Sequence, residues 1–104
     1  MKTIVTKASQ TIGVDPYVLG PLMADLVGHD RRPGAYILYL ALLRLGGRRG
    51  GVGISLQELA TATGLSKSAV QRSVIHLRRR GLIAMESTGR TQAPRYFVRQ
   101  PWRR

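Results

Sequence analysis

The clearest alternation of apolar and polar positions runs from Ser55 to Ile83. Leu56, Leu59, Ala60 and Thr63 fall at helical spacing. Beyond Gly64-Leu65-Ser66, Val70, Val74 and Leu77 recur at i, i+4 and i+7, the mark of a helix with one buried face. The first helix is expected to start at Leu56, behind an S-x-x-E capping box made by Ser55 and Glu58. Gly64 stands where a tight turn between helices needs positive φ, and Leu65 plugs the corner. Ser66 caps a second helix that runs to about Arg80. Gly81 ends it, and Leu82-Ile83 begins a strand. The other face of the second helix carries Lys67, Ser68, Gln71, Arg72, Ile75, His76 and Arg79. Two short helices joined by a glycine-bearing turn, the second basic and exposed, form a helix-turn-helix.

The order Gly64-Leu65-Ser66, Val70-Gln71-Arg72, then Leu77 through Arg80-Gly81-Leu82-Ile83 resembles the winged helix-turn-helix of bacterial DNA-binding proteins. The resemblance covers roughly Pro33 to Arg99. It implies a mostly α fold with a small β-hairpin wing (α+β), with the second motif helix in the DNA major groove. It spans transcriptional regulators and the DNA-binding domains of plasmid and phage replication initiators, and does not choose between them. A wing of this kind lies along the backbone or dips an arginine into the minor groove. Arg90, near the tip, is the candidate.

The remaining pattern divides the chain into an N-terminal segment, 1–32, and a winged helix-turn-helix domain, 33–104. Within the segment, Thr3 to Thr6 reads as a short strand or a tail, and Tyr17-Val18-Leu19 as a brief extended run. Gly20-Pro21 supplies the N-cap and first position of a short helix. Leu22, Met23, Leu26 and Val27 are its expected buried face and Gly28 its stop. The helix from Pro33 to about Leu45 is apolar on nearly every side, so it must be covered on every side. The N-terminal segment or a second subunit has to supply that cover. Tyr36 and Tyr39 are expected at the margin, with wet hydroxyls. Gly46 to Gly53 lacks the G-K-[ST] ending of a phosphate-binding loop. It reads first as a flexible connector to a short Val52–Ile54 strand, and second as a place where Arg48 and Arg49 touch phosphates. Leu82–Glu86 and Arg95–Arg99 form a hairpin around a polar loop. Trp102 is expected to pack on the domain.

Charge gives this frame a partner. The 104 residues hold 17 Lys+Arg against 5 Asp+Glu, a net charge of +12. Residues 1–47 carry +2 (five basic, three acidic) and residues 48–104 carry +10 (twelve basic, two acidic). So one-sided an excess points to a polyanion, nucleic acid before membrane. Without cysteine there is no disulfide, thiolate metal site or cysteine nucleophile. His29 and His76 lie on different elements with no carboxylates at ligand spacing, and the arginines around His76 on its own helix disfavour a cation there. No enzyme, cofactor or metal is expected. No stretch reaches the ~18–20 apolar residues of a membrane span, so the expected setting is the cytoplasm, without a membrane partner.

The sequence thus predicts a protein, most consistent with a transcriptional regulator, that binds double-stranded DNA. Base edges are expected to meet Lys67, Ser68, Gln71 and Arg72, with phosphate at the Ser66 end of the helix. His76, Arg79, Arg90 and Arg95 complete the expected surface. A winged-helix protein-interaction module is the reading outside DNA binding. The surplus apolar face of the Pro33 helix favours a homodimer, although a monomer wrapped by its own N-terminal segment would use the same residues.

Overall fold

Two prolines set where helices begin. Pro21 and Pro33 occupy first helical positions, where the missing N–H would have had no partner. In the computed structural model, which describes residues 11–87, 89 and 92–103, α1 (Pro21–Met23) widens into a π-helical turn over Ala24–His29. There follow α2 (Pro33–Arg44), β1 (Val52–Gly53), α3 (Leu56–Thr63), α4 (Lys67–Arg79), β2 (Ile83–Glu86) and β3 (Arg95–Val98). The expected strand at Thr3 to Thr6 lies outside the described residues.

The N-terminal segment departs from expectation in three ways. Residues 17–19 form a turn instead of an extended run, with the Val18 amide donating to the Asp15 carbonyl at 2.8 Å. The helix does not stop at Gly28 but runs to His29. It closes through the Asp30 amide on the Asp25 carbonyl (2.8 Å) and the Arg32 amide on the Leu26 carbonyl (2.7 Å). The first of these spans five residues and the second six, both wider than an α-turn. Leu22 and Leu26 are buried, whereas Met23 and Val27, expected to be buried, are 37% and 39% exposed. Arg31 then reverses the chain at φ 56, a region side chains seldom occupy.

α2 is the central post. Ala35, Tyr36, Leu38, Tyr39 and Leu42 are buried, and Leu40 and Leu43 are half-buried against the core. Much of the cover comes from the chain itself, because Val14, Val18 and Trp102 pack on the same core. The tyrosine hydroxyls are therefore not wet. Tyr36 donates to the Val18 carbonyl and Tyr39 to the Arg99 carbonyl, each at 2.8 Å, so each buried polar tip finds a backbone acceptor. Trp102 packs as expected. It stacks on Tyr17 with ring centroids 4.4 Å apart, and its Nε1–H donates to Asp15 at 3.2 Å.

The strands form an antiparallel sheet in the order β1-β3-β2. Val52 pairs with Tyr96, and β2 pairs with β3 from Ile83–Val98 to Glu86–Arg95. Buried Tyr96 and Val98 join Leu59, Val70, Leu77 and α2 in one core.

The glycine-dense loop is anchored at its start, contrary to a purely flexible connector. Buried Gly47 donates to the Leu42 carbonyl at 2.9 Å and accepts from the Val98 amide at 3.0 Å. A Cβ there would sit 2.7 Å from Val98 Cγ2 and 3.0 Å from the Leu42 oxygen. Gly47→Ala is expected to destabilise the fold by about 1–3 kcal/mol, the usual cost of overpacking. Urea unfolding measures it, and an unchanged midpoint would contradict this packing.

Candidate nucleic-acid interface

Local chemistry fixes the two motif helices. The Ser55 hydroxyl accepts from the Glu58 amide at 3.1 Å, and the Glu58 carboxylate accepts from the Ser55 amide at 2.9 Å. Hydrogen bonding from the Ser55 backbone first, and its side chain second, holds the Glu58 carboxyl below its usual pKa. Gly64 adopts φ 81 at the end of α3. The Ser66 hydroxyl accepts from the Ala69 amide at 3.1 Å and starts α4. Val70, Ser73, Val74 and Leu77 then point into the core. Lys67, Ser68, Gln71, Arg72, Ile75 and Arg79 are left exposed on the outside.

That outer face is electrostatically open. Arg72 donates to the Ser68 hydroxyl at 3.4 Å, but Lys67, Arg72 and Arg79 have no carboxylate partner among the described residues. Most of the acidic groups are occupied elsewhere. Glu58 caps α3. Asp15 receives the Tyr17 amide at 2.9 Å and lies 3.5 Å from Arg103. Asp25 and Asp30 both bind Arg80, the first at 2.6 Å. A surface whose cations lack internal partners keeps them for an external anion.

Asp30 is the hub behind α4. Its side chain is 8% exposed and accepts from His76 Nε2 at 2.7 Å, His29 Nδ1 at 3.0 Å and the Arg80 guanidinium. Burial alone would raise its pKa. The hydrogen bonds from His76 and His29, with the Arg80 charge, outweigh burial and hold the carboxyl at about 2. The sequence placed only arginines around His76, whereas the fold brings this carboxylate from 46 residues away. It also gathers ligand atoms of Asp25, His29 and Asp30 within 4.8 Å of one another, a grouping not expected from sequence. Arg80 already neutralises both carboxylates, so a metal cation would have to displace a guanidinium.

A family model described as "MarR family" matches residues 37–91, more than half of the chain and all of α3 and α4. The chain belongs to the MarR family. No curated protein matches it. Membership makes the four helices and small antiparallel sheet a winged helix of the DNA-binding transcriptional-regulator type. Among the described residues, no helix is long and apolar enough to cross a membrane.

Within this MarR-family domain, the expected site residues that the structure describes fall into three groups. Ser66, Lys67, Ser68, Gln71, Arg72 and Arg79 share the outer side of α4 and its amino end. Arg95 is exposed at the start of β3, opposite Glu86. His76 is turned inward, its side chain 13% exposed and bound to Asp30. Arg90 lies outside the described residues. Sequence reasoning missed Arg32, at the N-terminus of α2, which lines a shallow cleft with Arg72, Ile75, His76 and Arg79. No local pattern joins position 32 to positions 72–79. The Arg31–Arg32 pair beside Pro33 was the only signal.

Proposed function

We propose that this MarR-family chain is a transcriptional regulator that reads duplex DNA in the major groove with α4, in the compartment that holds the DNA, the bacterial cytoplasm. The observation that carries this reading is the outer face of α4, where Lys67, Gln71, Arg72 and Arg79 stand exposed with no carboxylate partner among the described residues. Gln71 matches adenine N6/N7, and Arg72 or Lys67 matches guanine O6/N7. Phosphate at the Ser66 end, with Arg79, Arg95 and Arg90 along the flanks, would position the protein without reading sequence. His76 acts in this scheme by steadying α4 through Asp30. Family membership favours a regulator over a replication initiator or a docking module.

Alanine substitutions separate reading from holding. Arg72→Ala should weaken binding by about 1–3 kcal/mol and relax preference at one base position, as the loss of a bidentate contact does. Arg90→Ala should weaken all sequences more evenly. Fluorescence anisotropy on single-base variants of the bound duplex checks both. An unchanged base preference in Arg72→Ala would place the reading face elsewhere.

A homodimer is part of the same proposal, with a changed basis. The chain covers much of α2 itself, but Leu19, Met23 and Val27 recur every four residues and are 55%, 37% and 39% exposed. A second copy would bury this row, and a two-fold pair would set two α4 helices about 34 Å apart along a palindrome. Sedimentation equilibrium at micromolar concentration should show twice the 11.5 kDa monomer mass. A single monomeric species would reject the dimer.

A further inference from the structure

Ile75 is the one large apolar side chain on the outer face of α4, and it is 50% exposed. It lies on the row Lys67–Gln71–Ile75–Arg79, whose other members are polar and exposed. The inner face of α4 is already filled by Val70, Val74 and Leu77, each buried. Packing therefore does not require an isoleucine here, and a β-branched residue is no better helix former than the polar alternatives. Single exposed apolar residues are common, so exposure alone decides nothing. Position does. Ile75 lines a cleft of about 140 Å³ whose other walls are Arg32, Arg72, His76 and Arg79.

The three arginines of these walls favour the approach of a polyanion, but an isoleucine among them cannot hydrogen-bond a base edge. The apolar feature of the major groove is the C5 methyl group of thymine, absent from the other three bases. We infer that Ile75 reads thymine through that methyl group, and so is a specificity-determining residue of the interface. The inference rests on α4 lying in the major groove. Gln71 and Ile75 are one helical turn apart, about 6 Å, so their bases lie roughly two steps apart along a strand. Burying one methyl against an apolar side chain should give roughly a three- to fivefold preference for thymine over uracil.

The test uses the full-length protein and the duplex it selects, with each thymine replaced in turn by uracil, which removes only the methyl group. Wild type should lose roughly three- to fivefold in affinity at one position. Ile75→Ala should bind thymine and uracil equally there, and Ile75→Val should keep part of the difference. The side chain is half-exposed, so an unchanged melting temperature is expected for both variants. Insensitivity of the wild type to uracil everywhere, or the same sensitivity in Ile75→Ala, overturns the inference while leaving major-groove binding intact. Failure of the wild type to bind any duplex overturns both.

Discussion

Raising monovalent salt from about 50 to about 200 mM is expected to weaken duplex binding by about three to four orders of magnitude. The exposed cations of α4, the wing strand and Arg32 would neutralise about five to eight phosphates. Each releases condensed counterions, so log K should fall against log salt with a slope of about −5 to −7. The size of the effect depends on the cations being unpaired in the free protein. Among the described residues Lys67, Arg72 and Arg79 have no carboxylate partner, whereas Arg80 is held by Asp25 and Asp30. Anisotropy titrations across this salt range give the slope directly. A slope shallower than about −2 would mean that phosphate is not the partner of this surface.

The second large effect is on stability. Asp30→Asn is expected to destabilise the fold by about 2 kcal/mol at neutral pH, because His76 and Arg80 lose a shared carboxylate. The figure lies below the usual cost of breaking a buried pair, since Arg80 is one-third exposed and solvent screens it. The native carboxyl is held at about 2 against an ordinary value of 3.8. A depressed pKa stabilises the fold above the unfolded value and loses that contribution as pH falls through the folded one. The wild-type advantage should therefore be full above about pH 5 and shrink between about pH 4 and pH 2. Urea unfolding of both proteins across that range measures it. Equal midpoints at pH 7 would show that the cluster does not stabilise the fold.

What was legible in the sequence was local. Ser55 and Glu58 are three residues apart, Gly64 and Ser66 two, and each dictates its own stretch of backbone. The row Val70, Val74, Leu77 marked which side of α4 faces outward, and with it the exposed positions from Lys67 to Arg79, His76 excepted. The features that were missed come from distant partners. Tyr39 finds its acceptor 60 residues away and Asp30 reaches His76 across 46, and no periodicity encodes either meeting. Gly47 looked like one glycine among several until Val98 was placed against it. Met23 and Val27 were expected beside Leu22 and Leu26 on one buried face, but the core takes only the two leucines. Arg32 entered the site only once the start of α2 was set beside α4.

The most direct test of the central claim is selection of bound sequences from a random duplex library, carried through several rounds with the purified protein. Major-groove reading by α4 predicts one enriched motif, with the preference at a single position relaxed when Arg72→Ala replaces the wild type. A library that stays random, or the same motif from wild type and Arg72→Ala, would contradict it.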